Sequence, residues 1–513
     1  MSQPEQFETS LKNLSRTGTL IKSRGYREIW RFEHGGKPYF LKFYPRQGSR
    51  LKRIVRGNPA MREFLRLQWL QKASIPAPRA VAMLSGFRLD NRVGDAVIME
   101  AIEPGVPLDR YLNDAQLDGR RVAEHRDLAR QVRELVANLG RAKLGHNDLH
   151  LGNFLLKGGN LHLLDAYAVR AGGLRMAHVM LLGHSVNRYA SVADLQRGWE
   201  QLGNDEPLPR RNPVSFRLWR KFLKQTRGGN AYFGRFTDDD DWTGVFFKHA
   251  KFPRRWAPVS RLDLPEAQWR EAWADLRRRI DADQLHIIKR SASGDVLEGE
   301  IAPGGRPINV IVKRARPKFW YRYFTQIARG ARPRRAWKKA WQIIARDIPT
   351  AWPLLLMERR WLGYVTDTLI VYERVAGTVL TLLDLDTIDE RARDTLFRRL
   401  GRTLRRLEAG GLSQFDAKST NWMIVDDPQL GPVPVVIDVD GVEPSWKSPN
   451  EAAAVQRLLR SMRDHAQYTP ADSLALCQGY APYARMAAES TEWSLEEDQE
   501  EHRTSNIEHR TPK

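Results

Sequence analysis

The chain has 513 residues, is 42% apolar, holds one cysteine and sets 83 Lys and Arg against 61 Asp and Glu, for a formal charge of +22. One cysteine, Cys477, excludes an intramolecular disulfide and suits the reducing cytoplasm, while the length exceeds what a single core holds and points to at least two domains. The polar opening MSQPEQFETSLKN is no signal peptide, and no run of about 18 apolar residues could cross a bilayer, so the expectation is a cytoplasmic protein whose charge draws anionic partners from outside the membrane core.

Residues 18–43 read as strands, with turn signals at Gly25 and at His34-Gly35-Gly36-Lys37. Lys42 lies in the alternating run YFLKFY. Taken alone it fits a solvent-facing strand position. The helical stretch AMREFLRLQWLQK changes that reading, because it carries Glu63, the sole acid between Lys42 and Asp90. A strand lysine that reaches the α- and β-phosphates of a nucleotide is held in place by such a helix glutamate. Gly25 sits between two strand runs. The run DAVIMEAIEPG ends the strand-rich stretch at Met99 to Ala101. Residues 119–143 are an amphipathic helix leading to the next motif.

The stretch 144–167, LGHNDLHLGNFLLKGGNLHLLDAY, is the densest in chemistry. Asp148 stands in a loop with His146 two residues before it and Asn153 five after it. Two apolar runs around Lys157-Gly158-Gly159-Asn160 predict a hairpin, and Asp165 ends its second strand. Phosphoryl transfer needs a carboxylate to take the acceptor's proton, and an amide oxygen with a second carboxylate to hold magnesium. Asp148 is assigned as base, and Asn153 and Asp165 as metal ligands. Residues 170–280 are basic, mostly helical and rich in tryptophan. Any single tryptophan there is read first as core. Asp238-Asp239-Asp240-Asp241 reads as a solvated loop.

The pattern then recurs. Residues 284–313 repeat strand, turn, strand, hairpin and a strand carrying Lys313. IPTAWPLLLM follows IPAPRAVAM, and DTLIVYERVAG follows DAVIMEAIEPG. LSQFDAKSTNWMIV presents Asp416 and Asn421, and VVIDVD presents Asp438. Two domains in tandem are expected, over residues 1–270 and 271–490, with an acidic disordered tail at 491–513. The second copy departs from the first. Gln414 replaces the histidine, and no acid occurs from 314 to 346 to pair with Lys313. Lys418, two past Asp416, could touch a transferred phosphate. Activity of the second copy is left open. The same 314–346 segment holds eleven Lys and Arg and seven aromatics. That composition suits an anionic membrane surface, and it also fits a solvated basic helix or single-stranded nucleic acid. No nucleic-acid fold signature accompanies it, so nucleic acid is not the expected partner.

HNDLHLGNFLL followed by LLDAY resembles the catalytic and metal-binding segments of the protein-kinase-like superfamily, and most nearly the bacterial lipopolysaccharide core kinases that phosphorylate Kdo or heptose. Aminoglycoside and choline kinases share the general pattern. The resemblance implies an α+β fold of two tandem bilobal kinase-like domains, each with a small antiparallel β lobe and a larger helical lobe. It implies ATP and Mg2+ as cofactors and an anionic glycolipid, a lipopolysaccharide precursor, as acceptor at the membrane surface. The residues it engages are Asp148, His146 and Asp416 for catalysis, Gly25, Lys42, Glu63, Met99, Ala101, Lys313 and Lys418 for nucleotide, and Asn153, Asp165, Asn421 and Asp438 for metal. A small-molecule or protein kinase, and a non-catalytic nucleotide-binding membrane adaptor, remain the alternatives.

Overall fold

The computed structural model describes residues 7–46, 57–117, 122–186, 212–248, 264–292, 294–315, 331–362, 364–427, 431–444 and 453–480. The tail 491–513 and residues 316–330 of the basic aromatic segment lie outside them. The chain divides into two compact units, Met1–Val214 and Ser215–Lys513. Each is α+β and built on an antiparallel sheet.

In the first unit β1 (Thr19–Arg24), β2 (Arg27–His34) and β3 (Lys37–Pro45) form a meander. The helix α1 (Pro59–Lys72) follows, and β4 (Ala80–Leu89) and β5 (Arg92–Glu100) complete a five-stranded sheet in the order β1-β2-β3-β5-β4. Period-two alternation sorts the faces of β3. Leu41 and Phe43 enter a cluster with Trp30, Phe32, Ala96 and Ile98. Lys42 and Tyr44 are thereby turned to the opposite face, where both bond Glu63 of α1. The start of α1 is fixed locally. Asn58 accepts from the N–H groups of Ala60 and Met61 at 2.9 and 3.1 Å, and Pro59 needs no donor partner at the first turn. Such a cap is worth about 1 kcal/mol, and here it also sets which helix face Glu63 occupies.

The second half of this unit runs through α2 (Val122–Arg141), the short β6 (Leu144–His146), the hairpin β7 (Phe154–Lys157) and β8 (Asn160–Leu163), and α3 (Met176–Val186). The expected hairpin is present. Gly158 and Gly159 at its tip have φ of 54° and 81°, the left-handed pair that a tight two-residue connection demands.

The second unit opens on α4 (Pro213–Gln225), which crosses the division, then β9 (Phe233–Thr237), β10 (Trp242–Phe247) and α5 (Glu266–Asp281). Next come β11 (His286–Ser291), β12 (Gly294–Ile301), β13 (Ile308–Ala315), α6 (Arg332–Ala345), β14 (Pro353–Trp361) and β15 (Tyr364–Glu373). Its sheet has seven strands in the order β9-β10-β14-β15-β13-β12-β11. The last five repeat the pairing scheme of the first unit. The remainder is α7 (Glu390–Ala409), β16 (Leu412–Gln414), β17 (Trp422–Asp427), β18 (Gly431–Val436), α8 (Ala453–Arg463) and α9 (Pro470–Tyr480).

The division at Val214/Ser215 lies well before the boundary expected near residue 270. The reason is β-pairing. β10 lies antiparallel to β14, with Trp242 opposite Arg359 and Phe246 opposite Leu355, so residues 233–247 extend the second sheet. Trp219, Trp242, Trp269 and Trp273 are buried side chains of this unit. These tryptophans are thus core, as each was read first from the sequence, but core of the second unit. Asp238 is also structural. It accepts from the Trp242 N–H at 2.9 Å and from Trp273 Nε1 at 2.7 Å.

Candidate active site

Lys42, Glu63 and Asp165 come together in the first unit. Lys42 Nζ bonds Glu63 Oε1 and lies 3.9 Å from Asp165 Oδ1. Glu63 has no exposed surface, and its other oxygen takes the Tyr44 hydroxyl. Burial and then the charge of Glu63 push the Tyr44 hydroxyl far above its ordinary range, so it stays a donor. Asp165 sits in the left-handed region at φ 54°. Burial opposes its charge, but Lys42 and Arg27 outweigh that and hold its carboxyl below the usual carboxylate range.

The Asp148 loop is laced by backbone and amide contacts. Asn153 Nδ2 donates to the Asp148 carbonyl at 2.7 Å, the Asn153 N–H to the His150 carbonyl at 2.9 Å, and the Leu164 N–H to the Asn153 carbonyl at 2.7 Å. Because the nitrogen of Asn153 is tied back, its Oδ1 is the end left for a ligand. Asp148 itself is 56% exposed. One hard amide oxygen and one carboxylate, Asn153 and Asp165, suit magnesium, which usually takes only one or two protein carboxylates.

Four expected residues are placed differently from their expected use. His146 is fully buried, with Nε2 3.2 Å from the Leu164 carbonyl, and burial lowers its pKa. It positions the segment before Asp165 and does not face the site. The Ala101 N–H already donates to the Pro38 carbonyl at 3.1 Å, and the Glu100 N–H to the Arg79 carbonyl at 3.0 Å. Met99 is buried within β5. The hinge donor left over is the Ile102 N–H, which has no partner among the described residues. Gly25 lies in the two-residue turn between β1 and β2, where a side chain would meet nothing within 4 Å. Nothing there requires glycine.

Three site residues were not singled out from the sequence. Arg27 Nη1 is 3.2 Å from Asp165 Oδ1. Tyr44 bonds Glu63. His150, two past Asp148, lies 3.5 Å from the Asp148 carboxylate and takes the Gly152 N–H on Nδ1 at 3.1 Å. The last had an available signal, since it occupies the position of Lys418 in the repeat.

The second unit repeats the loop bond for bond. Asn421 Nδ2 donates to the Asp416 carbonyl at 2.7 Å, the Asn421 N–H to the Lys418 carbonyl at 2.9 Å, and the Ile437 N–H to the Asn421 carbonyl at 3.1 Å. Even the support from the following helix recurs. The Ser185 hydroxyl of α3 takes the Leu151 N–H at 3.1 Å, and that of Ser461 in α8 takes the Ser419 N–H at 2.9 Å. The charges differ. Lys313 meets Asp438 at 3.7 Å with no helix glutamate, and Trp337 stands where Glu63 would by count from the helix proline. The acid behind α6 is Glu358 of β14, which pairs with Arg334 and Arg360. Asp416 is bound through Oδ1 by Arg457 Nη2 at 2.7 Å and Nε at 3.1 Å, with Lys418 3.5 Å away. Burial works against its charge, but the Arg457 hydrogen bond and Lys418 hold its carboxyl below the ordinary range. Counting back four from the matched serines, α3 has Leu181 where α8 has Arg457.

Residues 17–167 match the family described as Lipopolysaccharide kinase (Kdo/WaaP). The match lies within the first unit and covers less than a third of the chain. The matched span contains Lys42, Glu63, Asp148, Asn153 and Asp165, and the likeness to a kinase family supports kinase activity. A solved structure described as WaaP in complex with acyl carrier protein is similar at 17% identity and a TM-score of 0.32, over 44% of this chain and 92% of that one. No curated protein matches the chain.

Proposed function

We propose that the first unit transfers the γ-phosphoryl group of ATP, with Mg2+, to a Kdo or heptose hydroxyl of the lipopolysaccharide inner core, at the cytoplasmic face of the membrane. The observation that carries this reading is the convergence of the Lys42–Glu63 pair on Asp165, beside a loop that leaves Asp148 exposed. ATP supplies the group to be transferred, and Mg2+ neutralises charge on its phosphate oxygens. Asp148 takes the acceptor's hydroxyl proton at its carboxylate. Asn153 Oδ1 and Asp165 hold the metal. Lys42 binds phosphate and is oriented by Glu63. Ile102 offers its N–H to the adenine edge. The charge of +22 favours an anionic acceptor over the aminated substrates of the aminoglycoside and choline classes.

The second unit is read as a kinase-like copy that does not transfer phosphate. Arg457 engages Asp416 Oδ1 with two donors, in competition with an acceptor hydroxyl, and a carboxylate held below its ordinary range is a weaker base.

The test is transfer of labelled γ-phosphate to a membrane glycolipid fraction by wild type, Asp148→Asn and Asp416→Asn. Asp148→Asn should lower the rate by roughly 100-fold to 10,000-fold, the usual worth of a general base. Asp416→Asn should leave it unchanged. Label appearing in protein or in small amino alcohols instead would overturn the acceptor assignment. Loss of transfer in Asp416→Asn would overturn the silence of the second unit.

A further inference from the structure

Two cations reach Asp165 Oδ1, and only one of them belongs to the strand-lysine motif. The other, Arg27, is nearer, at 3.2 Å against 3.9 Å for Lys42. Its side chain is 12% exposed. Burial opposes its charge, while Asp165 and then Tyr44 stabilise it. Nothing in the sheet asks for arginine here. Arg27 is the first residue of β2, paired across the strand with Arg24, beside a turn of only Gly25 and Tyr26.

That turn is the key contrast. A kinase-type nucleotide site normally covers its phosphates with a glycine-rich loop. Two residues cannot form such a cover, so the donors must come from elsewhere. The second unit shows that the arginine is an addition. There Val296 lies opposite Lys313 as Ile29 lies opposite Lys42, and two residues upstream the second unit has Gly294 where the first has Arg27. The arginine accompanies the fuller set of site residues.

We propose that Arg27 is a phosphate-binding residue of the nucleotide site, replacing the missing loop. Without nucleotide its guanidinium neutralises Asp165. With nucleotide, its fork of donors serves phosphate oxygens and leaves Asp165 to the metal. This rests on the reading of the first unit as a nucleotide site.

The experiment measures binding of ATP and of adenosine to the full-length chain with Mg2+ by calorimetry, for wild type, Arg27→Gln and Arg27→Lys. Arg27→Gln should weaken ATP binding by roughly tenfold to a hundredfold, as expected for charge-assisted hydrogen bonds, with adenosine affinity unchanged. Arg27→Lys should recover part of the loss. Unchanged ATP affinity in Arg27→Gln, or equal loss for adenosine, makes Arg27 a structural ion pair and overturns the proposal. Wild type that binds neither ligand overturns the nucleotide-site reading itself, and the proposal with it.

Discussion

His146 and Gln414 show how a motif position can matter without touching substrate. Both are fully buried, and both point an Nε2 at a carbonyl of the carboxylate segment, Leu164 in one unit and Asp438 at 3.0 Å in the other. The chain thus carries its own conservative swap, and His146→Gln should keep transfer within a few-fold of wild type. It should also change the pH dependence of stability. Burial lowers the His146 pKa, so below about pH 6.5, the ordinary histidine value, the unfolded chain binds a proton that the folded one resists. Stability from this group is complete above that pH and declines as pH falls toward the folded pKa. His162 and His178 are lowered in the same direction, so His146→Gln should shrink the loss between pH 7.5 and 5.5 without abolishing it. Urea midpoints at the two pH values measure this, and an undiminished loss would contradict it. Glu63 allows a sharper comparison. Tyr44→Phe removes the hydroxyl bonded to the buried Glu63 carboxylate and should cost about 1.5–3 kcal/mol. Glu63→Ala strands both Lys42 and the Tyr44 hydroxyl in a buried site and should cost about 3–5 kcal/mol. Equal shifts in the denaturation midpoint would mean that the site relaxes around the loss. The meeting of Lys42, Glu63 and Asp165 was legible because spacing and charge isolation mark them. Arg27 and Arg457 were not, because in a chain with 83 Lys and Arg no single arginine stands out until folding places it.

Hairpins, the amphipathic helices and the internal repeat could be read from local pattern, and the structure contains them. The ownership of residues 215–247 could not. A strand's sequence reports its own alternation but not its partner, and β9–β10 pair with β14 more than a hundred residues later. The burial is large. Phe233, Phe246 and Phe247 are almost wholly enclosed, and Phe233 and Phe247 pack on Trp341 at ring separations of 4.8 and 5.2 Å. At about 1.5–3 kcal/mol per fully buried large side chain, deleting this hairpin should cost an amount comparable to the whole stability of an ordinary domain. A fragment of residues 213–513 should therefore unfold cooperatively in urea. One of residues 271–513 should be insoluble or lack a cooperative transition. Cooperative unfolding of the shorter fragment would show that the hairpin is an accessory to the sheet.

If the proposed acceptor is carried on a lipid, the charge of the whole chain bears on how the protein meets it. No helix among the described residues is long and apolar enough to cross a membrane. If contact with the bilayer is made by the net charge of +22, it must behave as surface electrostatics. Each basic residue near an anionic surface is worth about 1 kcal/mol, and that attraction reaches only about 8 Å at physiological ionic strength and about 3 Å in 1 M salt. The chain should therefore co-sediment with vesicles containing anionic lipid at low salt, ignore purely zwitterionic vesicles, and be released as salt approaches 1 M. The half-saturating concentration of the glycolipid acceptor should rise over the same range, while adenosine binding at the hinge, which involves no net ligand charge, should not. Vesicle binding that survives 1 M salt would mean that apolar insertion holds the protein at the surface. A salt-insensitive acceptor dependence would mean that recognition rests on sugar contacts inside the site, with the charge of the chain serving some other encounter.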